Sequence, residues 1–411
     1  MNRIQALLLS LLVSFSVVSQ GIVFEKGSWK EVLAKSKETG KPIFVDVFTT
    51  WCGPCRMMSE QIFPKENVGQ AYNEAFICYQ LDAEKGDGIK VAAKYGVTSY
   101  PRYLFIRPNG TLFAQNVGFM YASDFVEMSK LVVSVYKDGR SLSEVEKASI
   151  KKPNDPAKLL DLMRFRRANN MTNAEQLDAY LKLLPEAERA SDAVAELYKN
   201  EKKSISVKSF ACDNLIKNKE ALNPKLNGKA EFFLKDIALS SMSDAAITYN
   251  EKLLDRAIEV YGEDPPTPLS YLKVFFYMDF YINSANMKKF IESARIYYND
   301  YLMKLDPQTS GMNGGVMSAL FQKGTQYIFK KSVDPDLLNE AIVWSKRGEE
   351  VNPNDKMSSF ITYNLLYKSG KNNEAKQLLS ALIQGYKDNS DPNLKTFKQA
   401  LQKMYNNEPT W

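Results

Sequence analysis

No histidine occurs among the 411 residues. That excludes histidine acid–base catalysis, Ser-His-Asp triads and most catalytic zinc sites. Only four cysteines are present, too few for a disulfide scaffold in a chain of this length. Neither sign of charge dominates: 54 basic and 48 acidic residues leave a net +6, interspersed along the chain, so no nucleic-acid partner is indicated. Past the N-terminus no apolar run approaches the ~20 residues of a membrane span. The hydrophobic share of 45% and charged share of 25% are those of a globular protein, and the length suits two or three domains.

The N-terminus reads as an address. Arg3 supplies a positive start, Ala6 to Val18 is largely apolar, and Val17-Val18-Ser19 offers small residues for cleavage after Ser19. A secretory signal peptide over 1–19 is expected. The mature protein would be exported, periplasmic or extracytoplasmic, with no membrane span after cleavage.

Two of the cysteines form Trp51-Cys52-Gly53-Pro54-Cys55, which follows the apolar run Ile43-Phe44-Val45-Asp46-Val47-Phe48. If a helix starts at Gly53, Cys52 lies at its N-terminus, where unpaired N–H groups and the helix dipole favour a thiolate. Cys55 falls on the same helical face, within reach of Cys52. Lowering a thiol pKa from about 8.5 to about 7 takes roughly 2 kcal/mol of thiolate stabilisation. The spacing suits reversible disulfide chemistry, with Cys52 as nucleophile and Cys55 as resolving thiol. A bare pair of this spacing is also half a zinc site or a local disulfide. A structural zinc site needs four ligands, and the remaining cysteines, Cys78 and Cys212, form no second pair of this kind. Each reads as a small buried apolar residue.

Asp46 stands inside the apolar run, where an unpaired carboxylate is costly. Pro101 follows Tyr100 and precedes Arg102-Tyr103-Leu104-Phe105-Ile106, which reads as a strand. With Trp-Cys-Gly-Pro-Cys, these residues closely resemble the thioredoxin family over roughly Gly21 to Lys137. The resemblance implies a thioredoxin-like α/β fold and thiol–disulfide oxidoreductase activity on protein disulfides. It implies that Asp46 relays a proton for Cys55, and that Tyr100–Pro101 is a cis peptide whose backbone groups pair with substrate. Trp51, Gly53, Pro54 and Tyr100 would face the substrate. No organic cofactor and no metal is needed, since the two thiols carry the electrons. Three departures stand out. Tyr100 is bulkier than the family's usual residue there, Glu84-Lys85-Gly86-Asp87-Gly88 looks like a small insertion, and Tyr79-Gln80-Leu81-Asp82 holds no basic residue near the buried Asp.

Local signals agree with that order of elements. Val23-Phe24 reads as a short strand, and Ser28 with Glu31 as a capping box for a helix closed by Gly40 and Pro42. The run 43–48 is a buried strand, Glu66 to Glu74 a helix, Phe76 to Leu81 a strand, and Gly88 to Tyr95 a helix ended by Gly96. Pro108-Asn109-Gly110 marks a hairpin between strands, and Ser123 caps a helix to Lys137.

From Asp138-Gly139-Arg140 to Lys151-Lys152-Pro153-Asn154-Asp155-Pro156 the chain is polar, which predicts a linker over 138–156. Beyond it, apolar residues recur at helical spacing, with breaks near Pro185, Pro224, Pro265-Pro266, Pro307, Pro335, Pro353 and Pro392. An all-α domain over 157–411 is expected, either a helical-repeat array or a bundle. Asn339-Glu340-Ala341 and Asn373-Glu374-Ala375 lie 34 residues apart, with Pro353-Asn354 and Gly370 suitably placed, which weakly resembles tetratricopeptide repeats. The aromatics Tyr271, Phe275, Phe276, Tyr277, Phe280 and Tyr281 read as packing between helices rather than a peptide groove. Arg164, Arg166 and Arg167 read as a solvated helix face.

The whole reads as an exported thiol–disulfide oxidoreductase whose helical domain binds a partner, with a membrane electron donor as its source of reducing equivalents. The alternatives are an oxidase or isomerase using the same cysteines, and a non-enzymatic interaction protein built on the helical array.

Overall fold

A computed structural model describes residues 21–262, 272–304, 306, 314–352, 355–386 and 392–411. The expected signal peptide, Tyr271, Pro353-Asn354 and the breaks at Pro265, Pro266 and Pro307 lie outside these residues. The chain divides into two compact units, one of residues up to 205 together with 209–230, the other of 206–208 and 231–411.

The first unit begins with α1 (Trp29–Thr39), β1 (Ile43–Phe48), α2 (Gly53–Met57), α3 (Glu66–Ala75) and β2 (Ile77–Asp82). It continues through α4 (Asp87–Lys94), β3 (Arg102–Ile106), β4 (Leu112–Val117) and α5 (Ala122–Asp138). Ser28 and Glu31 form the reciprocal capping box, and Gly40 closes α1 in the left-handed region. α5 starts one residue earlier than the expected Ser123 cap, with Tyr121 at the N-cap and no side-chain bond. The strands form one four-stranded sheet in the order β2-β1-β3-β4. β1 runs parallel to β2 and antiparallel to β3, β4 is antiparallel to β3, and Phe24 adds an isolated bridge to Cys78.

The sheet is covered on both faces, which is why β1 is apolar at every position but Asp46. Ile43, Val45 and Val47 pack on one side with Val32, Val91 and Leu104. On the other side Phe44 meets Tyr72, Phe76, Tyr103, Phe105 and Phe125, and the Tyr72 and Phe125 rings stack at 4.4 Å. By strand alternation Asp46 points to the Phe44 side.

That second core does not stop at α5. The stretch expected as a linker carries α6 (Leu142–Lys151), followed by α7 (Pro156–Ala168). Val145, Leu162, Phe165 and Ala168 are buried in the same cluster as Phe44 and Phe125. Its polar residues make α6 a capped surface helix: Ser141 and Glu144 form a second capping box, and Val145 and Ser149 face inward. Nor are the three arginines of α7 a solvated face. Arg164 donates to Asp138 and Asp161 at 2.5 and 2.7 Å, Arg166 to the Thr172 carbonyl at 2.8 Å, and Arg167 to buried Glu201 at 2.6 Å. The unit is completed by α8 (Ala174–Leu183), α9 (Asp192–Glu201), α10 (Phe210–Lys217) and α11 (Lys219–Leu222), where Cys212 is buried.

The second unit is helical. α12 (Ala230–Thr248), α13 (Glu251–Tyr261), α14 (Leu272–Asn283) and α15 (Met287–Arg295) come first. A π-helical stretch, Ile296–Tyr301, follows. Then come α16 (Gly314–Lys331), α17 (Pro335–Val351), α18 (Lys356–Lys368), α19 (Asn372–Gln384) and α20 (Pro392–Tyr405). Pro335 and Pro392 are the first residues of helices, where a missing N–H costs nothing. Phe280 and Tyr281 are buried and Phe275 packs on Tyr297, so these three aromatics of α14 are packing residues, while Phe276 and Tyr277 are half-buried. Among the described residues no helix is long and apolar enough to cross a membrane.

Candidate active site

β1 carries Asp46 and delivers the chain through Thr49 and Trp51 to the start of α2. Cys52 is the N-cap, in extended conformation, and Pro54 occupies the first turn, where no N–H is needed. Cys52 and Cys55 are joined in a disulfide with Cα atoms 5.3 Å apart. The Cys55 N–H donates to Cys52 Sγ at 3.1 Å, and the Arg56 N–H to the Cys52 carbonyl at 3.2 Å. Sulfur at position 52 therefore already sits in the field of the first helical amides, the setting that stabilises a thiolate. In the disulfide form the two residues are equally covered, 6% and 5% exposed, so accessibility alone does not rank them.

After one turn the helix widens into a π-helical stretch, Met58–Ile62. Phe63 N–H donates to the carbonyl of Met58, five residues back, at 2.9 Å. Met58 is buried, and its Sδ accepts the Met120 N–H at 3.5 Å, tying the cysteine helix to the segment before α5.

Trp51 is 68% exposed, yet held from two sides. Its indole N–H donates to Glu84 Oε1 at 3.0 Å, and its ring meets Tyr100 edge-on with centroids 6.0 Å apart. Tyr100–Pro101 is a cis peptide. The Trp51–Tyr100 contact thus brings the cysteine turn and the proline loop together. The Pro101 carbonyl is taken up by the Gly118 N–H at 2.9 Å, so that group is engaged within the sheet. Glu84 lies in the turn that leads into α4, within the stretch 84–88 that reads as an insertion. Gly88 lets that turn close: a Cβ there would lie 1.8 Å from the Asp82 carbonyl oxygen.

Asp46 is 2% exposed. Gln80 Nε2 donates to its Oδ2 at 3.1 Å, while Oδ1 has no partner among the described residues. Burial pushes the carboxyl up to about 7, and the Gln80 hydrogen bond opposes that rise. Tyr103, opposite Asp46 on β3, is fully buried; its hydroxyl donates to the Gly118 carbonyl at 3.0 Å. Burial and the Asp46 charge both hold the phenol protonated. Cys78 lies in the core, and burial pushes its thiol up, which keeps it an inert packing residue.

Two residues of this site escape a reading of the sequence. Gln80 lies in the segment that holds no basic residue, and its signal is register: Asp46 pairs with Gln80 across the parallel strands. Glu84 looked like part of a surface insertion, and only the fold turns it back onto Trp51.

The sequence profile of the thioredoxin-like domain matches residues 29–132. The thioredoxin of Borreliella burgdorferi is 30% identical over 118 residues, which cover 29% of this chain and 96% of that protein. A chloroplastic M-type thioredoxin of Pisum sativum is 32% identical over 97 residues, 24% of this chain, and the chain spans about half (52%) of that relative's length. A solution structure of a putative disulphide-isomerase from Bacteroides thetaiotaomicron shares 38% identity, covering 27% of this chain and 93% of that one, with a TM-score of 0.26. Fold and cysteine pair define a thioredoxin-like thiol–disulfide oxidoreductase domain. The chain belongs to the thioredoxin family.

Proposed function

We propose that the protein is an exported disulfide reductase of protein substrates. Cys52 thiolate attacks a substrate disulfide, forming a mixed disulfide and releasing one substrate thiolate, which takes up a proton. Cys55 gives its proton to the Asp46 carboxylate, and its sulfur attacks Cys52 Sγ. The Cys52–Cys55 disulfide forms as the second substrate thiol leaves. Two electrons pass from the dithiol to the substrate, and an external dithiol donor must return them; for an exported protein that donor would be a membrane reductant system. Trp51, Gly53, Pro54 and the Tyr100–Pro101 loop form the substrate-facing surface.

The observation that carries this reading is the bond between Cys52 and Cys55 at a helix start, in a domain that also buries a half-satisfied carboxylate on the preceding strand. The helical region is assigned to partner binding as a degenerate repeat array. The repeated Asn-Glu-Ala motif supports this, since Ala341 on α17 and Ala375 on α19 are both fully buried, as small residues at helix crossings are. Export rests on Arg3, the apolar run Ala6–Val18 and the small residues up to Ser19.

The test is reduction of insulin by the full-length protein with a dithiol donor. Acceleration that requires Cys52 supports the reading. A parent no faster than its Cys52→Ser variant would leave an interaction protein whose thioredoxin fold is a scaffold.

A further inference from the structure

In the helical unit a short strap lies over the unit's own helices. α20 gives way at Asn407, which adopts the left-handed region (φ 58°), and the Glu408 N–H donates to the Lys403 carbonyl, five residues back, at 2.9 Å. That turn reverses a chain at a helix end. Pro409 keeps the next residues out of a helix. Thr410 and Trp411 then reach α18 and α16. The Thr410 hydroxyl donates to Asn364 Oδ1 at 2.5 Å, and Asn364, on α18, is fully buried. Its Nδ2 donates to the Phe360 carbonyl at 2.7 Å, which fixes the direction of the amide. The Trp411 ring meets Phe329 of α16 edge-on, with centroids 5.7 Å apart, and lies 6.4 Å from Tyr367 of α18. Lys368 Nζ stands 5.6 Å from the Trp411 ring and 5.5 Å from that of Phe329, and it donates to the Phe329 carbonyl at 2.6 Å. Two helices thus present a buried acceptor, two aromatic rings and a cation, held in place by their own hydrogen bonds. The strap fills this site loosely. Trp411 remains 57% exposed, and Glu408 and Pro409 are exposed before it. So little buried apolar area makes for an exchangeable occupant.

We propose that Phe329, Asn364, Tyr367 and Lys368 form a docking site for a partner protein's extended segment, in which a hydroxyl residue precedes a large aromatic one. Thr410 and Trp411 occupy that site in the free protein. This rests on the function proposed above, in which the helical region binds a partner. The seated strap states the chemistry of the ligand: a hydroxyl for the buried Asn364 carbonyl, and a ring for the space beside Phe329 and under Lys368. A partner must displace the strap, so its apparent affinity falls by the fraction of molecules in which the strap is closed.

The probe is a fluorescein-labelled peptide with the sequence of residues 406–411, amidated so that binding reports side chains. It is titrated by fluorescence anisotropy against the full-length protein and against its Trp411→Ala variant, in which the site is open. The variant should bind the peptide. The parent should bind it about tenfold more weakly, as a strap closed roughly nine-tenths of the time requires. Thr410→Val in the peptide should weaken binding to the open variant about fivefold, and Trp411→Ala in the peptide should abolish it. Both changes lie in the peptide, so no loss of protein fold enters. Lys368→Met, added to the open variant, should weaken binding about threefold. No binding to the open variant, equal binding to parent and variant, or equal binding of the alanine peptide overturns the site. A parent that sediments as a dimer while the Trp411→Ala variant is a monomer overturns it too, since the strap then serves a second copy. A parent that fails to reduce insulin overturns the redox reading instead, because that assay uses the cysteines and peptide binding does not.

Discussion

Arg164 on α7 donates to Asp138, the last residue of α5, at 2.5 Å, and shares a ring of charges with Arg140 and Asp161. Asp138 is held well below the usual carboxylate range, chiefly by hydrogen bonds from Arg140. The ring closes over a region where Phe165, Leu162 and Val145 fill the core of the thioredoxin fold. A cut near Asp138, where composition suggests the domain ends, therefore removes part of that core. Fully burying each such side chain contributes about 1.5–3 kcal/mol, so losing three costs roughly 5 kcal/mol or more. Typical domains are stable by only about 5–15 kcal/mol. A fragment of residues 21–138 should unfold at much lower urea than one of residues 21–229, whose compact unit is nearly complete. Equal midpoints would show that α6 and α7 are dispensable.

The cysteines should be unequal despite equal burial. Cys52 is the N-cap that receives the Cys55 amide, so its thiolate gains most from the helix start. Cys52→Ser should abolish turnover. Cys55→Ser should accumulate mixed disulfides with substrate, seen by mass spectrometry, because attack survives and resolution does not. Alkylation of the reduced protein near neutral pH should label Cys52 first; preferential labelling of Cys55 would reverse the roles.

Asp46 should leave a signature in stability against pH. Its folded midpoint is raised from 3.8 to about 7 by burial. Between these values the folded state holds a proton that the unfolded chain has lost, so stability falls as pH rises through that window. The fall amounts to at most about 4 kcal/mol and levels off above the folded midpoint. Asp46→Asn, measured by urea unfolding of the oxidised protein, should remove the slope. The variant should be the more stable at pH 8, with the difference shrinking towards pH 4. Parallel curves for parent and variant would mean that Asp46 titrates normally.

The readable parts of this protein are those written in local chemistry. The cysteine turn, the Ser28–Glu31 box, the Gly40 stop and the apolar strands each depend on neighbours in sequence, and each is where the spacing predicts. Gln80 and Glu84 were illegible because their meaning depends on strand register and on the return of a loop. α6 reads as a linker because a capped amphipathic helix with few apolar residues has the composition of one, and α7, though legible as a helix, gives no sign that it packs on the sheet domain. The buried Val145 and Ser149 of α6 are too sparse to announce a core. The three arginines of α7 face partners up to 34 residues away, which no local pattern reveals.

The helical unit offers a sharper test of packing. Tyr298 is fully buried between Phe321, at 5.7 Å, and Trp344, at 4.6 Å, and stacks on both. Its hydroxyl enters the backbone of α16: it accepts the Gly324 N–H at 3.0 Å and faces the Leu320 and Phe321 carbonyls at 3.1 and 3.2 Å, to which it donates. Gly324 makes room for this. A Cβ there would lie 2.5 Å from the Tyr298 oxygen and 2.9 Å from Cε2, and a ring sandwiched on both faces cannot swing away. Gly324→Ala should therefore destabilise the helical unit by about 1–3 kcal/mol, even though alanine favours a helix by about 1 kcal/mol. Tyr298→Phe removes the nearest clashing atom but leaves backbone groups without their partner, at about 1–2 kcal/mol. The two changes touch the same atoms, so they should not add: in the Tyr298→Phe background, Gly324→Ala should cost about 1 kcal/mol less than in the parent. Urea unfolding of the four proteins measures the coupling. Strict additivity would mean that the hydroxyl and the glycine are unrelated, and that the helix accommodates a methyl group by shifting as a whole.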